Sequence, residues 1–236
     1  MKRNSWSAIS GLTLALLVFA PAQKSFAAGD TITGKITYSG TAPVPKKLKM
    51  DADPFCASQH PEGAVSQDVL LGPDNGLQNV LIYVKAGLPA ATQYAVPAIP
   101  VQIDQKGCIY SPRIAVAMVN QPIQFTNSDK TKHHVQAMAE MNPEWMTSQD
   151  AGSAPQGTKF AKPEVGMLVI CHLHPWMRMF VHVLANPYYA VTGTDGTFTI
   201  KGLPPGEYTV EAWHEKFGTM TMKVKTGGHA DMTFTE

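Results

Sequence analysis

Long apolar runs are missing from nearly all of this chain. Past residue 27 no stretch approaches the ~18 residues at which a membrane helix is expected, so no membrane span is expected there. An excess of one charge is missing as well: 19 basic residues face 18 acidic ones, and charged residues make up 16% of the chain. That balance gives no footing for binding nucleic acid. Helical periodicity is scarce, with short candidate pieces only at Glu140 to Met146 and near Gln59 to Gly63, each with a proline close by. No G-x-S-x-G elbow, phosphate-binding glycine loop or H-E-x-x-H pair occurs, so hydrolase and nucleotide chemistry have no residues to carry them. A hydrophobic content of 44% over 236 residues still suffices for one large core or two modest ones.

The first residues supply the one apolar exception. Lys2 and Arg3 form a basic start, Ile9 to Phe19 an apolar stretch too short to span a bilayer, and Ser25-Phe26-Ala27 a small-residue cleavage pattern. Residues 1–27 therefore read as a secretory signal peptide, and the mature protein is expected in the bacterial periplasm. Its removal leaves 16 basic against 18 acidic residues. Export governs the cysteines, of which there are three: Cys56, Cys108 and Cys171. An oxidising compartment pairs thiols, and an odd count leaves one over. Cys56 in "DPFCASQHPEG" and Cys108 in "DQKGCIYSP" lie in turn-rich sequence and are expected to be bridged, with Cys171 free.

The body of the chain reads as short strands separated by Gly and Pro, the pattern of a β-sandwich protein. Residues Ile32 to Tyr38 alternate apolar and polar, and Val80 to Leu88 is a fuller apolar run suited to a strand buried on both faces. "RIAVAMVNQPIQFTNS" places a turn at Asn120-Gln121-Pro122 between two strands. "GMLVICHLHPWMRMFVHVLANP" ends one strand at Cys171 and starts another at Met179, with Pro175 forcing the loop between. After Asn186 come an Asp195-Gly196 hairpin turn and a Pro204-Pro205-Gly206 turn.

Two segments carry chemistry. "CHLHPWM" sets a thiol, two imidazoles and a thioether within seven residues, and "FTNSDKTKHHV" brings an apolar strand through a polar loop to His133 and His134. Two imidazoles, a thiolate and a long axial thioether suit both oxidation states of copper with little rearrangement. These segments resemble the two ligand loops of the cupredoxins, the blue-copper family that includes plastocyanin, and the second is similar to the short-loop amicyanin type. The resemblance covers roughly residues 96–186. It implies a cupredoxin-like Greek-key β-sandwich holding one copper ion, with His133, Cys171, His174 and Met177 as ligands. The family usually places Asn directly after the first histidine, and here that position is His134. Strand alternation sends His133 and His134 to opposite faces, so one of them binds, and His133 is favoured.

"TDGTFTIKGLPPGEYTVEAW" resembles the small transthyretin-like or carboxypeptidase regulatory-like β-sandwich. With "DQKGC", "HPWM" and "AWHE", the whole chain is similar to a bacterial group that joins such a segment to a cupredoxin-like core. The expected organisation is thus a signal peptide (1–27), an N-terminal β region available to complete either sandwich (28–95), a copper-binding unit (96–186) and a regulatory-like segment (187–236). His172 is expected to be exposed and His182 structural. His214, beside Glu215, is read as a surface imidazole, with His134 and His214 as the reserve ligands.

The function these residues imply is electron transfer by a non-enzymatic carrier, with a transient partner such as a c-type cytochrome and an edge of His174 as the exit for electrons. A second coupled copper cluster lacks its histidines, since "HLH" already spends His174. The competing readings are copper capture or delivery, a red-copper sensor or enzyme, and a metal-free interaction module. The first of these draws on Met138, Met141, Met146, Met167 and Met179.

Overall fold

The structure is a computed structural model describing residues 31–90 and 92–235; the signal-peptide reading of residues 1–27 lies outside the described residues. In chain order the elements are β1 (Thr31–Ser39), β2 (Lys47–Leu48), α1 (Pro54–Gln59), β3 (Ala64–Val65), β4 (Leu81–Ala86), β5 (Val101–Gln105), β6 (Tyr110–Ser111), β7 (Ile114–Met118), β8 (Ile123–Asn127) and β9 (His133–Met138). They continue as β10 (Trp145–Gln149), β11 (Gln156–Thr158), β12 (Glu164–Cys171), β13 (Arg178–Leu184), β14 (Tyr189–Val191), β15 (Thr197–Lys201), β16 (Glu207–His214), β17 (Gly218–Lys225) and β18 (Met232–Thr235). The chain is all-β, as expected from its punctuation. Around Glu140 to Met146 the chain turns and enters β10 instead of forming a helix, because Glu164 claims the backbone N–H groups of Glu140 and Met141 from outside the segment. α1 ends at Gln59, so the second expected helical piece is displaced toward the N-terminus, where Asp53 caps the N–H groups of Phe55 and Cys56.

One sandwich pairs a five-stranded sheet, in the order β10-β9-β12-β13-β7, with a four-stranded sheet, β11-β8-β5-β6. Alternate residues of each sheet point into one core: Val135 and Ala137 from β9, Val169 and Cys171 from β12, Ile123 and Phe125 from β8, Ile103 from β5. α1 and the β2–β3 ladder lie over one end of this core, contributing Met50, Cys56 and Ala64. The second sandwich has sheets β15-β1-β18 and β14-β4-β16-β17. β1 and β4 therefore pair with strands from the end of the chain. The Asp195-Gly196 turn joins β14 to β15, which lie in different sheets, so it rounds a corner and closes no hairpin. Gly196 sits at φ +78°, and a Cβ there would meet the Ile36 carbonyl oxygen at 2.3 Å.

The two sandwiches share a third cluster. Ile114, Val116, Phe180 and Leu184 on the outer face of β7 and β13 are buried with Leu81 of β4 and pack against Trp213 of β16. This explains the apolar runs. β4 sends Ile82 and Val84 into its own sandwich and Leu81 and Tyr83 outward to the shared face, and β13 is likewise buried on both sides. A β-bulge between Glu164 and Met167 includes Gly166, at φ +84°, where a Cβ would press on the Trp213 ring at 3.2 Å.

Candidate metal centre

In β9, His133, Val135 and Ala137 face the core while His134 and Gln136 face outward. β12 runs antiparallel beside it with Cys171 opposite Val135. His133 therefore projects into the same interior as Cys171. The segment after Cys171 folds back on itself: the Met177 N–H donates to the His174 carbonyl, and the Cys171 N–H donates to the Met177 carbonyl. This loop returns Met177 beside Cys171, both buried, and swings the His174 imidazole inward.

The outcome is a triangle of donor atoms. His133 Nδ1 and His174 Nδ1 are 3.0 Å apart, and Cys171 Sγ lies 3.9 Å from the first and 3.6 Å from the second. The point equidistant from the three is about 2.1 Å from each, within the ~2.0–2.3 Å at which first-row metals bind imidazole nitrogen and thiolate sulfur. The donor set, two nitrogens and one soft sulfur with a thioether-bearing loop beside it, fits copper.

Each imidazole is fixed from behind by a carboxylate. His133 Nε2 donates to Asp129 Oδ2 at 3.0 Å, and His174 Nε2 donates to Asp53 Oδ2 at 3.1 Å. With Nε2 carrying the hydrogen, each ring turns its Nδ1 toward the sulfur. The carboxylates are themselves held. Asp129 accepts from the Gly107 and Cys108 N–H groups, and Asp53 accepts from Thr131 Oγ1 and caps α1. Cys56 and Cys108 are joined as a disulfide, so one bond ties the helix that starts at Asp53 to the turn that grips Asp129. Cys171 is free.

These contacts set the protons. Burial pushes the Cys171 thiol up, but the His133 imidazole and the backbone N–H groups of His134, Leu173 and His174 outweigh it and bring it to about 7. Burial disfavours a charged His133, yet Asp129 and Cys171 raise it to about 9. In both carboxylates burial acts upward and is outweighed. His174 and Thr131 hold Asp53 below the usual range, and His133 and the Cys108 N–H do the same for Asp129. Both shifts favour a Cys171 thiolate beside a charged His133, and a metal ion would displace the imidazolium proton.

Several expected residues lie elsewhere. His134 sends its ring outward, 5.1 Å from the exposed His172 ring, and only its backbone N–H reaches Cys171 Sγ, at 3.4 Å. His214 is no surface imidazole: it is 1% exposed, stacks on Phe217 at 4.8 Å and belongs to the second sandwich. His182 is buried, accepts from the Gly166 N–H and sits edge-on to Trp213. His174 offers no apolar exit edge, because it is 3% exposed with Asp53 on its Nε2 and Trp176 against its ring, 5.1 Å between centroids. Sequence reasoning missed Asp53 and Asp129. The only available signal for Asp129 was its i−4 spacing to His133.

No family model and no curated protein sequence matches the chain. Among solved structures it is similar to a Cu-containing nitrite reductase from Thermus scotoductus SA-01, with 20% identity, a TM-score of 0.34 and coverage of 42% of this chain and 25% of that one. It is also similar to a purple cupredoxin from Nitrosopumilus maritimus, with 21% identity, a TM-score of 0.31 and coverage of 36% and 99%. A reduced Cu(I) form of an amicyanin mutant gives 16% identity, a TM-score of 0.33 and coverage of 45% and 99%. The chain spans a quarter of the nitrite reductase's length. The donor atoms, and not these likenesses, carry the metal reading.

Proposed function

We propose that this chain is a mononuclear blue-copper protein that carries electrons. His133, Cys171 and His174 would hold one copper ion and Met177 would stand as its axial ligand. The triangle of two Nδ1 atoms and one Sγ, turned inward by one buried and one half-buried carboxylate contact, is the observation that supports this reading. When bound, copper supplies a one-electron couple between Cu(I) and Cu(II). The protein contributes a donor set suited to both states and a core that keeps water away. The proposed setting is the periplasm, with a c-type cytochrome as transient partner and the second sandwich as a carboxypeptidase regulatory-like module.

The test is copper loading of the mature protein. One copper per chain, an intense thiolate-to-copper visible band and a reversible couple are expected, and Met177→Gln should keep the band and lower the reduction potential. Copper bound without that band or couple would sink the proposal. Copper capture or delivery is a second reading, favoured by the exposed Met138, Met141 and Met146, of which Met138 and Met146 share the outer sheet face. A Cu(I) stoichiometry above one would support it.

A further inference from the structure

Behind the ligand loop lies a cavity of about 320 Å³ between that loop and the β2–β3 ladder. One wall is Trp176 and Met177; the others come from Lys46 to Lys49 and from Arg113 and Arg178. Its charge is lopsided. Lys46, Lys47, Lys49 and Arg178 are exposed at its rim and make no ion pair among the described residues. Of the acids nearby, Asp68 lines the cavity and Glu215 lies behind it, and both are already engaged. Arg113 donates from Nε and Nη2 to Glu215 at 2.9 and 2.6 Å, from Nη2 to Asp68 at 3.1 Å, and from Nη1 to the Arg178 carbonyl at 2.9 Å.

Two carboxylates share Arg113, a guanidinium buried where the sandwiches meet, and with the four unpaired cations the cavity carries five positive charges against two negative ones. Such an arrangement focuses a positive potential into the cleft and repels itself until an anion enters. Leu48, Ile109 and Trp176 add apolar surface to the wall. The volume is that of a small-molecule site. We propose that this cavity binds a small organic anion bearing two or more carboxylate or phosphate groups, its charges on Lys47, Lys49 and Arg178 and its carbon skeleton against Trp176. The site does not depend on the metal reading.

Citrate is the probe, titrated calorimetrically into the mature full-length protein, metal-free and copper-loaded. Saturable one-to-one binding is expected in both forms, weakened about tenfold or more in Lys47→Glu/Lys49→Glu and reduced in Arg178→Gln, with near-ultraviolet circular dichroism confirming the fold. Glycerol, of similar size and uncharged, should give no saturable heat. Trp176→Phe should lose whatever fluorescence change citrate causes. Absence of saturable citrate binding, or equal affinity in the folded charge-reversed variant, would overturn the proposal. So would an acidic protein partner that depends on Lys47 and Lys49 while citrate does not bind, since the face would then be a protein dock. A protein that never loads copper would sink the carrier reading and leave this titration standing.

Discussion

Four histidines are almost wholly buried in this molecule, and they divide into two kinds. His133 and His174, between the sheets of the first sandwich, each present one nitrogen to a carboxylate and the other to Cys171. His182, at the shared face, and His214, in the second sandwich, lie against the rings of Trp213 and Phe217 and have no acid on the imidazole. Burial disfavours the charged form of His133, His182 and His214, but Asp129 and Cys171 raise His133 to about 9, whereas burial takes His182 to about 3 and, with Arg113 and Lys216 nearby, His214 to about 4. The lesson is that burial alone makes an imidazole packing material. A carboxylate behind it makes it a directed donor.

The sharpest break of this comparison is by substitution. His133→Ala and Cys171→Ala should each abolish the native copper spectrum, whereas His134→Ala and His214→Ala should leave it intact. Visible spectra and metal content of the four variants check this. Loss with His134→Ala and silence with His133→Ala would move the ligand by one residue.

The next effect is on stability. An imidazole whose folded-state pKa is depressed below its unfolded value of about 6.5 contributes fully above that pH, and the contribution is lost as pH falls toward the folded value. His182 and His214 should together cost on the order of 4 kcal/mol between pH 7 and pH 5, the window fixed by folded values of about 3 and 4. Urea unfolding of metal-free protein at the two pH values measures it, and His182→Gln should remove about half of the slope.

The smallest effect tests the carboxylates. Asp53→Asn keeps a good N-cap for α1 and removes one negative charge behind His174. Because that charge favours the more positive copper state, the reduction potential should rise, on the order of 50 mV or about tenfold in the couple. Asp74→Asn, which touches only the exposed pair with Lys35 in the other sandwich, should not move it.

How much of this was legible in the sequence follows from the same contrast. His133, Cys171, His174 and Met177 stood out because ligand types fell in a recognisable order at strand ends, and period-two alternation separated His133 from His134. Asp53 had no such signal: it lies 121 residues from His174 and reads locally as an ordinary helix cap. The expected exposure of His214 fails because alternation says which side of a strand a residue takes, not whether another layer covers that side. Here β18 and Phe217 do, with Phe234 6.2 Å from the imidazole. That the N-terminal strands could complete either sandwich was legible, but which strands β1 joins was not, since its pairing with β18, 196 residues on, leaves no local mark.

That pairing has a consequence in time. β1 precedes every other strand described here, yet one of its two neighbours, β18, is the last of them, and Ile36 lies beside Met232 in parallel register. At ~5–20 residues per second of synthesis, β1 waits on the order of ten seconds or more for its final partner, while all the strands of the first sandwich come and go. Its edge is open for that whole interval. The Lys35 side chain and Gly34, with no side chain to offer a zipper, sit in the middle of that strand. A chain stalled or cut before Met232 would hold every strand of the first sandwich beside a first strand that lacks one of its two neighbours.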